Sequence, residues 1–63
     1  MNYDKIKVDF EAQKAAIVAS QEDFDKFLNG NDSAGVRVRK AQQQIRNLAQ
    51  AIRNEVSAIK NAE

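Results

Sequence analysis

The sequence predicts an all-α fold, an antiparallel two-helix hairpin, and three observations carry that prediction. Apolar residues recur every seven positions in each half of the 63-residue chain. The one clear break, Leu28-Asn29-Gly30, falls near the middle. The connection that this leaves is only about three to five residues long, which forces neighbouring helices to run antiparallel.

In the first half the recurring residues are Tyr3, Phe10, Ile17 and Phe24, extended by Ile6 and Phe27, with Gln13 and Ser20 as polar gaps. A seven-residue repeat keeps one face of a 3.6-residue helix apolar, so helix one is predicted over about 2–28. Gly30 supplies the left-handed residue that commonly ends a helix. The turn is placed at 29–32. Asp32 or Ser33 is expected to cap the next helix by accepting a backbone N–H bond. In the second half Val38, Ile45, Ile52 and Ile59 recur every seven, widened by Ala41, Leu48, Ala49 and Val56. Helix two is predicted over about 33–61. Strand-like alternation is confined to Val36–Val38. The whole chain, 1–63, is read as one domain.

A chain this short has a marginal core, and the usual reinforcements are missing. It contains neither Cys nor His, so no disulfide, no thiolate metal site and no histidine general base are available. No cofactor or metal is expected. Self-association is the remaining reinforcement. The simplest form is a homodimer making an antiparallel four-helix bundle through Tyr3, Phe10, Ile17, Phe24, Val38, Ile45, Leu48, Ile52, Val56 and Ile59.

The formal net charge of +1 hides an asymmetry. Up to Leu28, six acids (Asp4, Asp9, Glu11, Glu22, Asp23, Asp25) outweigh four lysines (Lys5, Lys7, Lys14, Lys26). From Ser33 onward, Arg37, Arg39, Lys40, Arg46, Arg53 and Lys60 outweigh Glu55 and Glu63. Stepping along helix two by four and three gives Arg39, Gln43, Arg46, Gln50, Arg53, Ser57 and Lys60, with Lys40, Asn47, Asn54 and Asn61 alongside. No acid interrupts either row. A row of this kind can neutralise phosphates without reading sequence, and Arg, Gln and Asn all donate to phosphate oxygens. The helix start, with Ser33, adds backbone N–H groups that favour an anion.

Ion pairing within the hairpin is the competing account of these charges. With the turn centred near Asn31, facing residues have numbers summing to about 62. Arg37 then meets Asp25, Arg39 meets Asp23, Lys40 meets Glu22 and Arg53 meets Asp9. Arg46 faces only Ala15 and Ala16, and Lys60 has only Glu63 nearby. Two functions stay open on the residues alone: nucleic-acid backbone binding, and a coiled-coil-like interaction module whose charges set register.

Other classes are disfavoured. An enzyme is not expected without His, Cys or a Gly-rich phosphate loop. A membrane-surface helix is disfavoured because the basic helix carries no aromatic residue. No apolar run approaches a membrane span and no signal segment opens the chain, so a cytoplasmic location is expected.

The stretch GNDSAGVRVRKAQQQIRNLAQAIRNEVSAIK, Gly30 to Lys60, resembles the bacterial linker-histone-like family first named from a chlamydial nucleoid protein. The resemblance rests on the Gly-Asn turn, the small-residue helix start at Ala34 and Gly35, the Arg37/Arg39/Lys40 cluster, and the basic periodic helix through Arg53, Ser57 and Lys60. It covers about half the chain and lacks the Lys/Ala-rich tail of the chlamydial members. It implies a histone-like, nucleoid-associated protein that binds double-stranded DNA with little sequence preference.

Overall fold

The structure, a computed structural model, describes residues 2–62. Three helices follow in order: α1 (Asp4–Ala19), α2 (Gln21–Leu28) and α3 (Asp32–Ala62). α1 and α2 together form the first arm of a hairpin, and both pack along α3. The hairpin measures 50 × 14 × 11 Å. Among the described residues no helix is long and apolar enough to cross a membrane.

The expected single first helix is bent at Ser20. The Ser20 N–H is shared between the carbonyls of Ala16 and Ile17, 3.2 Å from each, while its hydroxyl donates to the Ile17 oxygen at 2.7 Å. A serine that bonds back into its own helix competes with the regular ladder and bends it. The chain stays right-handed through Ser20 and restarts at once as α2.

The turn is built as a Schellman motif. Gly30 has φ +94°, a left-handed value that costs a side-chain-bearing residue energy. The Gly30 N–H donates to Phe27 O, and the Asn31 N–H donates to Lys26 O, each at 3.0 Å. The cap of α3 is neither Asp32 nor Ser33. Asn31 Oδ1 accepts the Ala34 N–H at 3.1 Å, which leaves Asp32 and Ser33 as the first helical residues.

On the first arm it is mainly small and polar groups, rather than the aromatic row, that face the apolar side of α3. On the first arm the partly covered residues are Ile6, Asp9, Ala12, Gln13, Ala16, Ser20 and Asp23. On α3 they include Val38, Ala41, Ile45, Leu48, Ile52 and Ile59. Ala34, beside the turn, is the one fully buried residue among those described. Gly35 keeps the turn end tight, since a Cβ there would sit 2.8 Å from the Phe27 ring. Tyr3, Phe10, Ile17 and Phe24 are 45–51% exposed along one flank. Apolar residues are also spread around α1 rather than gathered on one face: Val8 is 65% and Val18 74% exposed. The accessible surface is 4958 Å², against about 4,100 Å² expected for a compact monomer of this mass.

Candidate nucleic-acid interface

α3 is unbroken for 31 residues, and this places the basic rows predicted from sequence on one continuous outer face. Arg39, Gln43, Arg46, Gln50, Arg53, Ser57 and Lys60 are all exposed. So are Lys40, Asn47, Asn54 and Asn61 in the neighbouring row. Two hydrogen bonds tie the rows together: Gln43 Nε2 donates to Asn47 Oδ1 at 3.1 Å, and Gln50 Nε2 donates to Asn54 Oδ1 at 3.0 Å. Each Asn amino group is left to donate outward. Beside the turn, Val36, Arg39, Lys40 and Gln43 line a shallow open depression on this face.

The expected intramolecular pairs do not form in the expected register. Arg37 Nε meets Asp23 Oδ1 at 2.7 Å, and Lys5 Nζ meets Glu55 Oε1 at 3.0 Å. In both pairs the residue numbers sum to 60, not 62. The reason is the turn: Asn31 caps α3, so the hairpin is centred on Gly30. Asp23 is thereby taken by Arg37. Glu22 pairs with Lys26 at 3.1 Å, Asp9 with Lys5 at 2.9 Å, and Asp25 accepts a bond from Gln21 at 2.9 Å. Arg39, Lys40, Arg46, Arg53 and Lys60 make no ion pair among the described residues. Glu63, the acid expected near Lys60, lies outside the described residues.

The single acid within the body of α3 does not dilute the field of the outer face. Glu55 is turned inward, its side chain only 15% exposed, and neither oxygen accepts a well-aligned hydrogen bond. It shares Lys5 with Asp9. The hydrogen bond from the Lys5 ammonium holds the Asp9 carboxyl below its ordinary range. The contacts with Asp9, first, and Glu55 raise the Lys5 ammonium above its usual value. This inward cluster at the open end of the hairpin was not foreseen from sequence. The i, i+4 spacing of Lys5 and Asp9 was a visible signal, but the partner across the hairpin depended on register.

The helix start contributes less than the sequence suggested. Asn31 already satisfies the Ala34 N–H, and Asp32 places a carboxylate in the first turn of α3. Ser33 is exposed and free of a capping role. Arg37 is engaged with Asp23, so the first free cations on the face are Arg39 and Lys40.

Neither the curated proteins nor the solved structures contain a significant match to the chain. The sequence profile described as histone H1-like protein Hc1 matches residues 7–62, nearly the full length and both arms of the hairpin. The chain therefore belongs to the histone H1-like protein Hc1 family.

Proposed function

We propose that this protein is a nucleoid-associated, histone-like protein that binds double-stranded DNA through the outer face of α3. It contacts phosphates with little sequence preference. The observation that carries this reading is the row Arg39, Arg46, Arg53 and Lys60, exposed, acid-free and without an ion-pair partner among the described residues. A soluble helix face that is merely solvated ordinarily mixes both signs, because Glu–Lys pairs at i, i+4 stabilise it. Membership of a histone H1-like family supports the same reading. Lys40 belongs to the contact set at the turn end, with Ser33 and Arg37 at its edge.

Self-association accompanies this function. The half-exposed row of Tyr3, Phe10, Ile17 and Phe24, with Val56 across the groove, is the surface a second copy would cover. A homodimer carries two basic strips. The same exposed row also favours a second reading, an oligomerisation module with no DNA binding.

A duplex-binding titration at two salt concentrations separates the two. If about three phosphates are neutralised per chain, log K falls with log salt at a slope near −2.7. Affinity then drops about 40-fold between 50 and 200 mM salt. A folded, oligomeric protein that leaves duplex DNA unshifted at low salt would leave only the interaction module standing.

A further inference from the structure

We infer that α3 lies along the duplex axis, on the outside of the DNA, bridging successive phosphate ridges and entering neither groove. The inference rests on the proposed DNA binding and specifies its geometry. Arg39, Arg46, Arg53 and Lys60 stand on one exposed face of an unbroken helix, seven residues apart. At 1.5 Å rise per residue they lie at ~0, ~10.5, ~21 and ~31.5 Å along the helix axis, the row drifting round it by ~20° per seven residues.

A line drawn along the outside of B-DNA, parallel to its axis, crosses each strand once per turn of ~34 Å. The crossings are unequally spaced because the grooves are unequal. Adding a phosphate width of about 6 Å to grooves of roughly 6 and 12 Å separates strand centres by about 12 and 18 Å. Strand inclination stretches these to about 14 and 20 Å along the axis, together one turn.

Phosphate ridges therefore arrive at about 0, 14 and 34 Å, or at about 0, 20 and 34 Å. Arg39 and Lys60 match the outer pair in either case. Arg46 serves the first spacing and Arg53 the second. Every mismatch along the axis is under about 4 Å, within the swing of a long side chain whose rotamers are unconstrained at an exposed site. Three cations are thus seated at once whenever Arg39 stands on a strand, whichever groove follows it.

Insertion into the major groove uses the same row poorly. The groove admits a helix but winds away from a straight rod, so a recognition helix meets only about three or four base pairs. Arg39 and Lys60, ~31.5 Å apart, cannot both reach phosphate from one groove segment in that pose.

The test uses the intact protein on a saturated duplex, with methylation by dimethyl sulfate as the probe. The reagent attacks guanine N7 in the major groove and adenine N3 in the minor groove. The expected result is binding with both positions as reactive as in free DNA. Protection of either position would overturn the axial placement while leaving DNA binding intact. Absence of any mobility shift would instead remove the DNA-binding proposal on which it rests.

Single variants supply a second readout that does not depend on footprinting. Arg39→Gln and Lys60→Gln should each reduce the magnitude of the salt slope by about 0.9, and Arg46→Gln and Arg53→Gln by about half as much. A Lys60→Gln slope equal to wild type would also overturn the proposal. Circular dichroism checks that each variant stays helical.

Discussion

Phe10 is the residue whose replacement most directly probes the exposed flank. It is 50% exposed, lines an apolar depression with Ile6, Ile52 and Val56, and carries the Lys14 ammonium 5.5 Å from its ring centroid. A phenylalanine presents about 200 Å² in all, so about 100 Å² remains for a second copy to cover. The substitution occurs twice in a dimer, so Phe10→Asn removes about 200 Å² of apolar burial, a gross loss of about 5 kcal/mol at 25 cal/mol per Å². Association never realises the full area term, and half of that figure, about 2.5 kcal/mol, still weakens the dimer about 70-fold. Sedimentation equilibrium over a concentration series measures it. Val8→Ser is the control, because Val8 is 65% exposed and two residues away, on the opposite side of α1. Two results would refute the reasoning: a wild-type protein that is monomeric throughout the series, or a Val8 variant that dissociates as readily as the Phe10 variant.

Three further outcomes follow from the geometry. Gly30→Ala keeps open space around its new Cβ but holds a left-handed φ of +94°, so denaturant unfolding should show a loss of about 1–2 kcal/mol. Stability should be flat through neutral pH and fall at both ends. Asp9 is held below its ordinary range, so its contribution is present above the unfolded carboxylate value and is lost as pH falls through the folded one. Lys5 is raised, so its contribution is complete below the unfolded lysine value and is lost as pH rises through the folded one. Lys5→Gln leaves Asp9 and Glu55 facing each other, so its melting temperature should rise as pH is lowered from 7 toward 4, a trend that wild type lacks.

The hairpin and its hinge were legible because they depend on local signals: a seven-residue apolar repeat in each half and a glycine able to take a left-handed φ at position 30. Which cations of α3 share a row was legible for the same reason, since periodicity alone fixes which residues lie on one side of a helix. Register was not local. Whether Asn31 sits mid-turn or caps α3 moves the pairing sum from 62 to 60, and with it the partners of Arg37, Arg39 and Lys40. The bend at Ser20 had a trace in the sequence, a polar gap in the Phe10–Ile17–Phe24 row, yet whether a serine bonds back to its helix is decided by its rotamer. In the first arm the seven-residue row did not disclose which side meets α3. Ala12, Ala16 and Ser20 allow close approach to α3, and the bulkier row turns to the flank.

The salt dependence of duplex binding by the Arg39/Arg46/Arg53→Gln variant, set beside wild type, tests the role of α3 most directly. These side chains are exposed and make no ion pair among the described residues, so helicity and oligomeric state should be unchanged. The predicted result is a slope that falls from near −2.7 to about −1 or less, with affinity at low salt reduced accordingly. A variant that binds duplex DNA with the wild-type slope would contradict the assignment of the phosphate contacts to the outer face of α3.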